Sequence, residues 1–382
     1  MVLCLKVEKA DAERIRKQLE KAQLLSFDWR VGRMSRYVFL PILQLDMKGL
    51  KKKVKDAVDK KEVYTIEDRN LQATSKKPSN LREALKAILP ERKVGDIIGA
   101  FDVIGDIAVL EIPKELEEHE VSIAWTLKRL LPNIKTVAKR DSEYSGKYRI
   151  RKIRILVGDQ KSKTLYVEDG IRYSVDLNEV YFTQRLAEER GRIARLVKPK
   201  ENVLVMFAGI GPYLLRILKV QPEVKSVVGV EWNPACRGLF VETLKLNKLD
   251  ILEKDSKTLQ AAVVKRYYNK DGKLEKEDKI KKIEFYVGDV LEVVPKLLDF
   301  DRIIMPHPTD AISFFELAIK HLKIGGVVHI YSFLRENQTG EFKDRLREIC
   351  KKSGRKIKKV DVVKAGQKSP GVFRYCFDIC FN

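Results

Sequence analysis

Two glycines and two acids, each near the end of an apolar run, carry the first chemical signal in this 382-residue sequence. The run Asn202-Val-Leu-Val-Met206 breaks into Phe207-Ala-Gly209-Ile-Gly211-Pro-Tyr213, and the run Val227-Val-Gly-Val230 ends in Glu231. Glycine lets backbone come close to a ligand at the carboxyl end of a strand, because no Cβ stands in the way. An acid closing the next strand is placed to accept hydrogen bonds from ribose hydroxyls. Loops that cradle a pyrophosphate read GxGxxG, whereas Pro212-Tyr213 follows Gly211 here with no third glycine in register. The expected ligand is therefore a nucleoside, and S-adenosylmethionine (AdoMet) is the common nucleoside cofactor held this way. A strand-turn-helix without a ligand explains the glycines alone but leaves Glu231 a coincidence. Gly288-Asp289 closes a third run, where an acid commonly accepts from the adenine amino group. Pro306-His-Pro308 closes a fourth, where prolines would fix the backbone so that its carbonyls point at a target base.

A sheet is needed to line these strand ends up. Residues 184–382 alternate helix and strand in the doubly wound α/β manner, which predicts a Rossmann-like domain. Its strands are expected at Asn202–Phe207, Ser226–Glu231, Ile283–Val287, Arg302–Met305, Gly326–Phe333 and Phe373–Cys380. The charged stretch from Lys248 to Lys282, with a turn at Asn269-Lys-Asp-Gly272, reads as a mobile insertion near 250–282. Residues 1–72 read as a small α+β domain, with strands at Val2–Val7 and Tyr37–Leu43 and a basic amphipathic helix at Ala10–Ala22. A linker at 73–96 follows, polar over Thr74–Asn80, with a helix predicted at Leu81–Ile88.

Residues 97–183 read as a second α+β domain. A hairpin over Ala100–Ile112 turns at Gly105-Asp106, a helix is expected at Glu117–Leu131, and strands at Tyr148–Ile155, Thr164–Glu168 and Arg172–Val175. Basic residues from Lys135 to Arg154 interleave with Tyr144 and Tyr148. That mixture suits RNA backbone and unstacked bases, and on its own would serve equally as a solvated face.

Composition narrows the partners. Lys and Arg number 76 against 54 Asp and Glu, a net charge of +22 spread along the chain, so a folded protein of this balance is expected to meet a polyanion. The five cysteines lack CxxC pairing and the four histidines do not cluster, so no metal site is expected. Cys376 and Cys380 would share one face of a strand, but nothing else supports a bridge between them. No run is apolar enough for a membrane span and no signal peptide opens the chain, which reads as cytoplasmic.

The segment Tyr181-Phe182-Thr-Gln-Arg185-Leu186-Ala-Glu-Glu189-Arg190 resembles the tRNA methyltransferases that modify guanosine at position 37, beside the anticodon. Gly146-Lys-Tyr-Arg149-Ile-Arg151 upstream resembles their Gly-x-(Phe or Tyr)-Arg-x-Arg, and Phe101-Asp-Val-Ile-Gly-Asp106, Phe207–Pro212, Asn247 and Ser369-Pro370 match as well. The resemblance covers nearly the whole chain. It implies a class I AdoMet-dependent methyltransferase domain behind α+β RNA-binding domains, with tRNA as partner, no protein partner required and action as a monomer.

Guanine N1 is protonated at neutral pH and a poor nucleophile. The resemblance accordingly implies Glu189 as the base and Arg149 as the partner of O6. It further implies Arg190, Phe207, Gly209, Gly211, Tyr213, Glu231, Trp232, Asp289, Val290, Pro306 and Pro308 around AdoMet, and Arg149, Arg151, Arg185, Tyr181 and Tyr213 toward RNA. No metal ligand is expected among these residues, and Mg2+ is compatible with the reaction as an assisting ion.

Two departures stand out. Many members have Asp where this chain has Val205, and Asn-Leu-Pro where it has Pro306-His307-Pro308. An archaeal subgroup is similar to this chain on both points. Its members methylate guanosine N1 and, in some cases, carbon 7 of 4-demethylwyosine, so a wider, amide-free pocket flanked by Tyr213 is expected to accept that larger base. The alternatives are an aminocarboxypropyl transferase of the same wyosine pathway and a non-catalytic tRNA-binding paralogue.

Overall fold

A computed structural model describes residues 2–22, 24–26, 29–42, 47–59, 61–72, 81–85, 101–141, 148, 150–254, 257–268 and 274–382. Arg149, the linker stretch Thr74–Asn80 and the turn at Asn269–Gly272 lie outside these residues. The chain forms two compact units, Met1–Asp141 with Ile153–Lys161, and Ser142–Lys152 with Ser162–Asn382.

The first unit holds two four-stranded sheets. In one, Val2–Glu8 lies between Tyr37–Pro41 and Tyr64–Arg69, and Gly32–Met34 pairs at the outside. Its apolar face is covered by Ile15 and Leu19 of the helix Ala12–Lys21 and by Leu50 and Val54 of Met47–Ala57. The last helix and the strand Tyr64–Arg69 have no counterpart in the sequence reading. In the other sheet, the hairpin Phe101–Ile104 and Ile107–Leu110 turns at Gly105-Asp106 as expected. The helix Glu120–Leu130 then crosses over to Thr136–Arg140, which runs parallel to Ile107–Leu110. The strand expected from Tyr148 starts only at Ile153, and the helix expected from Glu117 is preceded by a 3-10 turn at Lys114–His119.

The second unit is built on a nine-stranded sheet. In order across it run Asp250–Lys254, Thr258–Tyr268, Leu274–Val287, Ser226–Glu231, Asn202–Met206, Phe300–Met305, Leu322–Leu334, Val372–Phe381 and Ile357–Ser369. The five central strands are parallel. The chain starts at Asn202–Met206, moves outward on one side, and returns to lay Phe300–Met305 on the other. Strand order therefore reverses between those two strands, and a crevice opens at the carboxyl ends of strands at such a point. Buried Leu204, Met206, Ile303, Met305, Val328 and Ile330 fill the core beneath it.

Two expectations change here. The stretch from Lys248 to Lys282 is largely regular sheet: Thr258–Tyr268 pairs antiparallel with an extended Leu274–Val287, because the long third strand offers a free backbone edge. The boundary expected at 183/184 falls inside the second unit. Lys163–Glu168 and Ile171–Asp176 pair with each other and dock on the helix Ala235–Leu246. Ser174 donates from its amide to Thr243 Oγ1 (3.0 Å) and from its hydroxyl to Glu242 (2.7 Å). Asn247 accepts from the amide of Arg172 (3.0 Å) and donates to the carbonyls of Arg172 (2.6 Å) and Thr243 (2.7 Å). Removing a side chain that satisfies several backbone groups costs about 1–3 kcal/mol. In Asn247→Ala the Arg172 amide is expected to exchange its hydrogen roughly tenfold faster or more, with little change in the central strands.

Candidate active site

The glycine loop is shaped by backbone conformation. Phe207, Gly209 and Gly211 all adopt the left-handed region, with φ of 61°, 57° and 78°. For Phe207 that conformation is strained by about 1–3 kcal/mol, a feature typical of ligand-binding loops. It is held by ring contacts with His307 (4.9 Å between centroids) and Phe314 (5.1 Å), and by the Ala208 amide on the Val230 carbonyl (2.9 Å). Gly211 opens the helix Pro212–Val220, with proline in the first turn where its missing N–H costs nothing. A Cβ on Gly211 would stand 2.3 Å from Phe240, whereas one on Gly209 would meet nothing within 4 Å. Gly211 thus serves packing, and Gly209 faces the open side where a cofactor would lie.

Glu231 closes its strand as expected. Its carboxylate accepts from the amides of Gly209 (2.7 Å) and Asn233 (2.8 Å), which bridges the two strand ends. Burial pushes its carboxyl above the ordinary range, and the hydrogen bonds from the Asn233, Gly209 and Trp232 amides work against that shift. A carboxylate can take about four hydrogen bonds, so capacity remains for a ribose hydroxyl. Trp232, 44% exposed, meets the ring of Tyr148 edge-on at 5.9 Å. Asp289 caps the short helix Val290–Val293 by accepting from the Leu291 amide (2.9 Å), so its carboxylate is held at the same edge. The Val290 side chain is packed in the core, which leaves only its backbone for a cofactor. These groups fit the nucleoside part of AdoMet.

Pro306-His307-Pro308 follows the fourth strand end, where His307 packs on Phe207 across the crevice. The Pro308 carbonyl accepts from the Phe333 amide (3.1 Å) and so is turned toward its neighbouring strand, not simply inward as expected.

Glu189 is 5% exposed on the helix Ala187–Leu196. Arg192 donates to both its oxygens at 2.7 Å, and the Tyr331 hydroxyl donates to Oε1 at 2.6 Å. The Tyr213 hydroxyl in turn donates to that of Tyr331 (3.3 Å), which links Glu189 to the first turn behind the glycine loop. Tyr331 lies in no local motif, so the sequence alone does not mark it.

Two expected contacts are not made. Arg190 is 2% exposed and its guanidinium is taken by Glu168, with Nη1 on the Thr183 carbonyl (3.2 Å) and the group over the ring of Phe182. It pins the hairpin Lys163–Asp176 to the helix and is not turned to the cofactor. Tyr213 is 3% exposed, and its hydroxyl is directed to Tyr331 on a neighbouring strand, so it is buried rather than turned out toward a base or AdoMet. Tyr181 and Arg185 are exposed and Arg151 is half-buried, which leaves all three on surfaces RNA can reach.

A doubly wound sheet with a glycine loop, an acidic second strand end and an acid after the third strand defines a class I methyltransferase. The family model described as the TRM5/TYW2 methyltransferase domain matches residues 164–267 and 263–362. A TYW2 N-terminal domain matches 81–161, and a tRNA methyltransferase 5 N-terminal domain matches 4–47. The chain belongs to the TRM5/TYW2 methyltransferase family. It is 31% identical over 336 residues to the tRNA (guanine(37)-N(1))-methyltransferase Trm5b of Methanocaldococcus jannaschii, covering 87% of each chain. It is 28% identical over 358 residues to Trm5b of Pyrococcus abyssi, covering 94% of this chain and 92% of that one, and the crystal structure of that enzyme superposes with a TM-score of 0.66 over the full length of both. A third relative, the tRNA (guanine(37)-N(1))/4-demethylwyosine(37)-methyltransferase Taw22 of Nanoarchaeum equitans, is 27% identical over 276 residues, 65% of this chain and 88% of that one.

The placement of Arg190 is open to test. Breaking a buried pair by removing one partner costs about 3–5 kcal/mol, while replacing both partners with apolar residues costs much less. Arg190→Met is expected to lose that much in urea denaturation, and Glu168→Leu with Arg190→Met to recover most of it. Unchanged stability with lost AdoMet binding would return Arg190 to the cofactor.

Proposed function

We propose that this chain transfers a methyl group from AdoMet to N1 of guanosine 37 in tRNA, acting as a monomer in the cytoplasm. The observation that carries the reading is Glu189: a carboxylate buried beside the glycine loop and tied through Tyr331 and Tyr213 to its first helical turn. AdoMet, when bound, supplies an already activated methyl group, so the protein's task is to orient the base and manage one proton. Glu189 accepts the N1 proton, and Arg149, the residue that the family resemblance assigns to O6, balances the charge that develops there. Glu231, Gly209 and Asp289 hold the nucleoside end of the donor. Exposed Tyr181 and Arg185, with Arg151, meet the RNA, which a net charge of +22 also favours. Among the described residues no helix is long and apolar enough to cross a membrane.

Carbon 7 of 4-demethylwyosine is a second acceptor on this reading. The Taw22 relative supports it, as does a fourth strand end without a side-chain amide to select guanine, Pro306-His307-Pro308. Buried Tyr213 contributes nothing to that pocket.

The test uses tRNA transcripts with G or A at position 37, tRNA carrying 4-demethylwyosine, and wild type beside Glu189→Gln. Methylation is expected on G37 and on 4-demethylwyosine but not on A37, with at least a roughly 100-fold loss of rate in Glu189→Gln. Product mass separates methyl from aminocarboxypropyl transfer. Calorimetry with AdoMet checks the cofactor, and absence of binding would favour a non-catalytic paralogue. Activity that survives loss of both the carboxylate and the target guanine would overturn the assignment.

A further inference from the structure

We infer that Arg192, Asp378 and Tyr331 are positioning residues for methyl transfer: they fix which oxygen of Glu189 meets the N1 proton, within a buried array one proton short of neutrality. The inference rests on Glu189 being the base.

The array can be followed atom by atom. Arg192 bridges Glu189 and Asp378, donating to Asp378 at 2.6 Å as well as to both oxygens of Glu189. Asp378 meets His329 Nδ1 at 2.6 Å and accepts from Cys376 Sγ at 3.1 Å. His329 Nε2 lies 2.6 Å from Nη1 of Arg302. A guanidinium can only donate, so Nε2 must be the acceptor and the single ring proton sits on Nδ1, toward Asp378. Burial agrees, pushing the imidazole below its ordinary value. Arg302 ends the array on Glu201 (2.8 and 3.1 Å) and on the carbonyl of Leu196 (2.7 Å), the last residue of the helix that carries Glu189. The array thus grips that helix near both ends.

Three carboxylates (Glu189, Asp378, Glu201) therefore face two guanidinium groups, with a neutral imidazole between them. The array thus holds one more negative group than positive. His329, Cys376 and Asp378 lie within 4.8 Å of one another, a spacing that would suit a cation, but Arg192 and Arg302 already supply the positive charge there. Asp378 is the member least available to the proton: burial raises its carboxyl, yet hydrogen bonds from His329 and Arg192 outweigh that and hold it well below the usual range. Glu189 is the member linked, through Tyr331 and Tyr213, to the turn behind the glycine loop.

Its geometry selects one oxygen. Oε1 accepts from Tyr331 and from Arg192 Nη2, and Oε2 from Arg192 Nε alone among the described residues. Each carboxylate oxygen offers two acceptor positions, so Oε2 keeps one for the substrate. The proton leaves N1 for Oε2, and the electron pair left on N1 forms the bond to the methyl carbon. The pair of the broken carbon–sulfur bond stays on sulfur. Glu189 is then neutral, and Arg192 keeps Asp378 as its counter-charge, so no buried cation is stranded.

Groups that face Glu189 come from four elements: Arg192 on its own helix, Tyr213, Tyr331, and Cys376 with Asp378. Facing Asp378 are Arg192, His329 and Cys376, while Asp361, its cross-strand neighbour, is exposed and paired with Lys359.

The two sides of the array should move the pH profile in opposite directions. Asp378→Asn removes a negative charge behind Arg192, which strengthens that cation's hold on the Glu189 carboxylate. Single-turnover rates are expected to fall about tenfold or more, with the acid limb moving to lower pH. Tyr331→Phe removes a donor to the carboxylate while keeping the ring, so its acid limb should move to higher pH. KM values for tRNA and AdoMet should stay within about twofold in both. If Asp378→Asn fails to fold, the direction of the Tyr331→Phe shift decides alone. Unmoved limbs, or limbs moving the same way, with Glu189→Gln inactive would sink the array while leaving the base in place. Full activity in Glu189→Gln would remove the base, and the array with it.

Discussion

One guanidinium shared between two carboxylates, Arg192 between Glu189 and Asp378, is the contact on which the working edge of this protein depends. A charge taken out of water is tolerated only when paired and hydrogen-bonded, and the pairing must survive any change in protonation. Arg192 meets that need with two partners, so one can be neutralised while the other remains. It also joins pieces of chain far apart in sequence, a helix ahead of the glycine loop and the penultimate strand of the sheet order. Motion of either would unpair charge, which ties the orientation of Glu189 to the integrity of the whole sheet.

The crevice in front of that contact follows from topology. Reversal of strand order between Asn202–Met206 and Phe300–Met305 leaves two loops facing each other, and Phe207 and His307 close the gap with their rings. Glu231 then fastens the glycine loop to the next strand end through the Gly209 amide. The glycine loop and the buried Glu189 carboxylate are thus two outcomes of one sheet edge, joined through Tyr213 and Tyr331.

Much of this edge was legible in sequence because each signal is local. A glycine after an apolar run, an acid at a strand end and a proline-fixed turn all declare themselves within a few residues. What failed to show was direction. Glu189 and Arg190 are adjacent, yet successive helical side chains point about 100° apart, so one reaches the loop's hydroxyl pair and the other the hairpin behind. Tyr213 follows the loop but turns inward for the same reason. Tyr331, His329 and Asp378 alternate with apolar neighbours on strands and read as ordinary strand residues. Leu274–Val287 is charged along its first half, so no alternation marked it as sheet, and Ile357–Ser369 was missed because an outer strand needs few apolar residues. The fold's middle was therefore readable and its two margins were not.

One of those margins has a bearing on behaviour in a crowded cell. An outer strand is a template on which another chain can pair, and Ile357–Ser369 is long. It carries Lys358, Lys359, Lys364 and Lys368, with Lys364 lying over Phe373 and Lys368 over Phe333. Each approaching copy would bring the same lysines, so like charges would meet before backbone could pair. The residues that screen aromatic faces at the sheet margin thereby also oppose edge-to-edge pairing of copies.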